Sequence, residues 1–265
     1  MSASARQRRE HIMARIYEQG HVSVKDLSRE LGISESTMRR DLGILAGTGG
    51  LELAHGGAWL KRSNDFSFRA KSLRNVEAKR IIGRLAAEMI ADGDQIFLDS
   101  GTTCFEMAPF LRRKPGLLVI VNSTRLAMEL NTSGLSLILL GGQYRPDRMD
   151  TVGPLATATL DQLRGYLAFV GVDGMSMEFG LTASDIDSAH LYAKAIRNAR
   201  RTVLLADHSK FETPSLFKIV EFDAISEIVT DRAPSSEWLE FLTGRGIGVV
   251  FPQTTEPQAG ADEAG

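Results

Sequence analysis

The residues with the most chemistry to offer stand just past short apolar runs in the last two hundred positions of the chain. QIFL runs into Asp99, Ser100, Gly101, Thr102 and Thr103; LLVIV into Asn122; LILL into Gly141 and Gly142, with Arg145 close behind; FVGV into Asp173 and Gly174; VLLA into Asp207, then Ser209 and Lys210. Each type has something to give a small, oxygen-rich anion. Glycines let backbone amides come close, threonine hydroxyls donate, aspartates accept from sugar or polyol hydroxyls, and Lys210 and Arg145 supply positive charge. Phosphate fits those donors, and a helix beginning near Thr103 would turn its positive end to the same place. The same carboxylates admit a competing chemistry, with Asp99 or Asp173 as the general base of a sugar-phosphate isomerase and Lys210 near the developing enediolate. One such loop has the composition of an ordinary turn; five at strand ends point to one site.

A second set lies near the N-terminus, in ISESTMRRDLGIL, residues 33–45. At about 100° per residue, Met38, Leu42 and Leu45 project to one side of a helix, Ser36, Arg40 and Gly43 to the other, and Thr37 and Arg39 flank them. Ser34 is the N-cap. In a helix entering a DNA major groove by its N-terminal half, Ser36, Thr37 and Arg40 reach base edges, while Arg39 and the Ser34 terminus face phosphates. Arginine suits base edges because its planar fork binds guanine O6 and N7 together. An arginine pair alone is an ordinary solvated feature; the elements around this one give it meaning.

Those elements run in order. ARQRREHIMARIYEQ reads as a helix stopped by Gly20, HVSV as a short strand, KDLSRELG as a second helix, and LELAHGGAWL as two strands joined around His55, Gly56 and Gly57. Together with the arginine-bearing helix they make a winged helix-turn-helix over residues 1–60, His55 and Gly56 at the wing tip. Residues 61–76, polar and basic with two phenylalanines, read as a linker whose aromatics dock on a neighbour. An amphipathic helix, EAKRIIGRLAAEMIADGD, comes next. QIFLD, LLVIVN, LSLILLGG, YLAFVGVDG, RTVLLAD and EIVTD then alternate with helical stretches. Continuous apolar strands between helices imply a mainly parallel sheet covered on both faces, an α/β domain over residues 77–252. Ligands of such sheets bind beyond the carboxyl ends of the strands, where the polar set stands. Residues 253–265, poor in bulky apolar side chains, are expected to be a disordered tail.

Composition sets the outer bounds. With 265 residues, 43% hydrophobic and 24% charged, there is chain for two ordinary domains with real cores. No apolar run approaches the roughly 18 residues of a membrane span, and MSASARQRRE leads into charge rather than a signal-peptide core, so a cytoplasmic location and no membrane partner are expected. The lone Cys104 has no disulfide partner and no ligand cluster; a small buried hydrophobe is expected there, no metal, and Trp238 in the core. The net charge of −2 hides an asymmetry, +3 over residues 1–63 against −5 over the remainder. The basic excess sits with the arginine pair.

The run VSVKDLSRELGISESTMRRDLGIL followed by LELAHGGAWL resembles the DeoR family of bacterial transcriptional regulators, with its RRDL helix and HGGA wing. DSGTT, Asn122, LGG, GVDG and ADHSKF resemble the sensor domain of that family, similar in fold to ribose-5-phosphate isomerases, and the likeness spans roughly residues 6–251. The resemblance implies a repressor of a sugar or polyol catabolic operon that leaves double-stranded operator DNA when a phosphorylated sugar, polyol or related metabolite binds. It also implies a homo-oligomer, dimer or tetramer, with an effector and no cofactor. Family wings usually carry a basic residue two before the histidine, where this chain has Leu53. A family lysine aligns with Tyr192, Lys194 standing two residues later, so EFGLTASDIDSAHLY is where effector selectivity is expected to be peculiar to this chain, with Glu178, Asp185 and His190 as contacts. The isomerases follow their counterpart of Asp173 with a lysine- and glycine-rich loop; GMSMEFG here argues against the enzyme.

Overall fold

The computed structural model describes residues 3–47, 51–60 and 68–253. α1 (Ala3–Gln19), β1 (His21–Ser23), α2 (Val24–Leu31), α3 (Glu35–Ala46), β2 (Leu51–Ala54) and β3 (Gly57–Leu60) build a small head. Ile12 and Ile16 of α1, Leu27 of α2 and the Met38–Leu42–Leu45 stripe of α3 form its core, so the periodicity of α3 is that of one buried face. The strands make an antiparallel sheet in the order β1-β3-β2. Its turn depends on Gly56, whose φ of +83° a side chain would strain.

α4 (Phe68–Ser72) lies within the stretch expected to be a linker. Residues 61–67 fall outside the described residues, but 68–72 are helical because Phe68 has a place to bury. Its ring meets Phe105 edge to face at 5.4 Å, and the Arg125 guanidinium sits 4.2 Å above it. The docked aromatic is thus part of an ordered element. α5 (Val76–Glu88) follows Asn75, which sits in the left-handed region at φ 51°.

The rest of the chain alternates as expected. In order come β4 (Gln95–Leu98), α6 (Thr102–Phe105), α7 (Ala108–Leu111), β5 (Leu118–Val121), α8 (Thr124–Glu129), β6 (Ser136–Leu139), β7 (Gln143–Arg145), β8 (Asp150–Val152), α9 (Pro154–Leu160) and β9 (Leu167–Gly171). Then follow β10 (Gly174–Ser176), β11 (Gly180–Ala183), α10 (Ile186–Asn198), β12 (Arg201–Leu205), β13 (Phe217–Val220), β14 (Glu227–Val229), α11 (Ser236–Thr243) and β15 (Gly248–Val250). Seven strands form one parallel sheet, β15-β14-β12-β9-β4-β5-β6. Successive side chains point to opposite faces. Phe97, Ala168 and Leu204 pack toward α9, α10 and α11, whereas Ile96, Leu98, Phe169 and Leu205 pack toward α5 to α8.

The six expected strands are β4, β5, β6, β9, β12 and β14. The seventh, β15, and the small antiparallel sheets β7–β8 and β10-β11-β13 were not anticipated: pairing rather than a sequence pattern defines them. From β4 the chain moves outward through β5 to β6; from β9 it moves the other way through β12, β14 and β15. The switch point therefore lies between β4 and β9, where such sheets hold ligands. Among the described residues no helix is long and apolar enough to cross a membrane. Residues 254–265, in the expected tail, lie outside the description.

Candidate functional site

A cavity of about 210 Å³ opens at the carboxyl end of β4 and β9. Asp99 sets its floor. This carboxylate, 1% exposed, accepts from the Gly101 amide at 2.7 Å and the Gly171 amide at 2.5 Å, tying the loop after β4 to the end of β9. Burial raises its pKa, the two amides offsetting part of the effect. Beside it Ser100 donates to Asp150 at 2.9 Å, and the buried Tyr192 hydroxyl lies 3.0 Å from the Ser100 oxygen, to which it donates. Ser100, Gly101, Thr102 and Thr103 line the cavity as expected, and so do Asp173 and Lys210.

The other expected site residues lie behind or beside it. Asn122 is fully buried and donates to the Thr151 carbonyl at 3.0 Å. Gly142 is pressed on β8, where an added Cβ would meet the Val152 oxygen at 2.6 Å, while Gly141 has open space; Gly174 packs on the Thr213 carbonyl. Arg145 forks onto Asp150 at 2.8 and 2.7 Å and reaches Asp185 at 2.7 Å and Ser188 at 2.9 Å, so it orders the wall rather than facing the cavity. Asp207 and Ser209 hold one another and Asn75. Burial pushes the Asp207 carboxyl up, but Lys210 and the Ser209 hydrogen bonds outweigh it and hold it low.

Most of the positive charge comes from residues the strand-end pattern did not mark. Lys71 and Arg74, from α4 and the turn after it, line the cavity with Lys79 of α5 and Arg148 of the β7–β8 hairpin. Lys71 forms an ion pair with Asp173, and the other Asp173 oxygen accepts the Ser184 amide at 2.7 Å. Burial would raise the Asp173 carboxyl, yet Lys71 and the Ser184 hydrogen bonds hold it well below the usual carboxylate range. It is a poor base in that setting, and Asp99 has both oxygens committed to amides. Lys79, 4% exposed, donates to the carbonyls of Lys71 and, at 2.7 Å, Arg74; burial pushes its ammonium down to about 8, with Asp207 opposing and Lys210, Lys71 and Arg74 adding to the shift. A signal for Lys79 was present, since it lies on the α5 face that also buries Ala78, Ile82 and Ala86.

The segment expected to carry selectivity reaches the cavity through Ala183, Ser184, Ser188 and Tyr192. Glu178 and His190 are exposed elsewhere. Asp185 caps α10 through the Ser188 amide at 2.9 Å and pairs with Arg145 and Arg148. Tyr192 points into the site while Lys194 pairs with Asp161 outside it. Cys104 is buried, its thiol pushed up by burial and by Asp99. Trp238 is core and donates to Glu212 at 2.6 Å. Among the described residues no group of His, Cys, Asp and Glu could hold a metal.

The head presents a separate surface. Ser34 caps α3, accepting from the Thr37 amide at 3.3 Å, and its hydroxyl meets those of Ser36 at 3.0 Å and Thr37 at 2.9 Å. Arg40 is exposed, and Arg39 is held by Glu35 at 2.8 Å one turn back. His55 and Gly56 stand exposed at the wing tip, and Leu53 is 58% exposed. Asp41, between the arginines and the core stripe, is 3% exposed and accepts from Arg8 at 2.6 Å and Arg9 at 3.4 Å, fixing α3 to α1.

Comparison with known proteins follows the same division. Residues 8–64 match the DeoR-like helix-turn-helix domain, and residues 74–232 match the DeoR C-terminal sensor domain. The lactose phosphotransferase system repressor of Lactococcus lactis subsp. lactis is 34% identical over 241 residues, 89% of this chain and 94% of that one. The HTH-type transcriptional regulator GlpR of Haloferax volcanii is 32% identical over 246 residues, 92% and 96% of the two chains. The HTH-type transcriptional repressor GlcR of Bacillus subtilis is 30% identical over 244 residues, 90% and 93%. A D-ribose-5-phosphate isomerase in complex with phospho-erythronic acid is similar at 16% identity and a TM-score of 0.39, over 51% of this chain and 54% of that one.

Proposed function

The chain belongs to the DeoR family of DNA-binding transcriptional regulators, and from that membership we propose that it represses a sugar or polyol catabolic operon and leaves its operator when the sensor cavity takes up a phosphorylated sugar or polyol. One observation carries the choice of effector: Lys71, Arg74, Lys79, Arg148 and Lys210 line a cavity that also offers the hydroxyls of Ser100, Thr102, Thr103, Ser184, Ser188 and Tyr192. Cations and hydroxyl donors suit a phosphate, and the Asp150 and Asp173 carboxylates suit the hydroxyls of its carbon chain. On the head, Ser36, Thr37 and Arg40 are the base-reading candidates, with Ser34, Arg39, His55 and Gly56 toward the backbone. One helix in one groove buries too little for tight specific binding, so paired heads in a homodimer or tetramer complete the reading.

The deciding experiment is a gel shift on the DNA upstream of the gene's own operon, repeated with sugar and polyol phosphates beside their unphosphorylated parents. Release by one phosphorylated compound, and not by its parent, is the expected result. Release by the parent alone would move the effector out of the phosphate class. Retention of no promoter fragment even at low ionic strength would end the regulator reading.

A further inference from the structure

The two domain matches stop at residue 64 and resume at residue 74, and α4, Phe68–Ser72, lies between them. Two side chains from that interval, Phe68 and Lys71, nevertheless line the effector cavity. We infer that Lys71 is an effector-binding residue supplied by the segment joining the two domains, and that an anion in the cavity takes it from Asp173, so that occupancy and the seating of α4 are one equilibrium. This rests on the anionic-effector reading above.

The ties on α4 are what make the exchange consequential. Toward the sensor domain, the ring of Phe68 is clasped by Phe105 and Arg125, its amide donates to the Asp147 carbonyl at 3.4 Å, and Lys71 pairs with Asp173. At the far end Lys79 holds the Lys71 and Arg74 carbonyls, and Asn75, in its left-handed conformation, donates to Asp207 at 2.9 Å and to Ser209 at 3.0 Å. Leu73, in the same turn, packs against the core of the head. Five ties thus fix this short element and the turn after it to the rim of the cavity, and Leu73 joins it to the DNA-binding unit. Two of the five, those of Lys71 and Lys79, are made by ammonium groups that an incoming anion also attracts. A doubly charged phosphate competes for Lys71 against a singly charged carboxylate, and Asp173 keeps the Ser184 amide when its cation leaves. The ligand gains Lys71 only when the pair is broken, which is the differential affinity that population shift requires.

The test uses the full chain and inorganic phosphate as the probe, with calorimetry for affinity and hydrogen exchange of the amides over residues 68–74 for the seating of α4. Lys71→Met should weaken phosphate binding by about tenfold or more, and Lys71→Arg should restore much of it. Asp173→Asn keeps an acceptor for the Ser184 amide while removing the competing charge, so it should tighten phosphate binding severalfold. It should also speed exchange over 68–74 without phosphate, to the rate that saturated wild-type protein shows. These opposite signs at the two partners are not what a purely structural ion pair would give. Equal phosphate affinities in wild type, Lys71→Met and Asp173→Asn would overturn the inference, as would exchange indifferent to both phosphate and Asp173→Asn. A wild-type protein that binds no phosphate overturns the anionic-effector reading and this inference together, whereas normal wild-type binding with an indifferent Lys71→Met sinks this one alone.

Discussion

Arg40 is exposed on α3, the helix that Ser34 caps and that carries Ser36 and Thr37 in its first turn. Arg40→Ala should cost about 1–3 kcal/mol of operator binding and relax the preference at one base pair, measured by competition among single-base operator variants. Asp41 stands next to it in the sequence and has the opposite task. Its enclosed carboxylate holds Arg8 and Arg9, so Asp41→Ala should lower the melting temperature of the head, by on the order of 2 kcal/mol of stability. That is less than the roughly 3–5 for a fully buried pair, because Arg8 is 24% exposed. In the cavity, Lys79 gives a prediction in pH. Its ammonium is held down to about 8, and an anion beside it favours the charged form. The complex therefore binds more protons than the free protein in the window above about 8. Effector affinity should be full below that value and fall as pH rises through it, with proton uptake at pH 8.5, seen in buffers of different ionisation enthalpy, that shrinks toward pH 7.

The elements show what a linear pattern can and cannot reveal. The head was legible almost throughout, since the stripe on α3, the glycine after α2 and the turn at Gly56 are local signals, each read within a few residues. Six of the seven parallel strands were legible for the same reason, as apolar runs between helical stretches. What escaped depends on contacts a linear pattern does not show: β7 and β8, whose Arg145 is spent on Asp150, Asp185 and Ser188, and α4, which exists because Phe68 finds Phe105 and Arg125. The site followed the same rule, strand-end residues such as Asp99 and Thr102 being visible and Lys71 and Arg148 not. Gly142 belongs to this class. It reads as one of two phosphate-cradling glycines, yet its backbone, at φ +150°, presses on the Val152 carbonyl. Gly142→Ala should destabilise the β7–β8 hairpin by about 1–3 kcal/mol, visible as a lower midpoint in denaturant.

At the scale of the whole chain, the charge division becomes a statement about binding. A head region carrying +3 on a body carrying −5 presents its basic side to a phosphate backbone while the rest is repelled, so operator affinity should fall steeply with ionic strength and effector affinity less so. The floor of the cavity, in contrast, owes nothing to DNA. With Asp99 stapled to the amides of Gly101 and Gly171, that surface is already in shape before any guest arrives, whereas on the inference above the side built by Phe68 and Lys71 responds to occupancy. Fit and message are therefore carried by different parts of one hollow. A compound matched to the stapled surface but too short to touch Lys71 should lodge there without freeing the promoter, and in doing so shut out the natural inducer: a silent blocker.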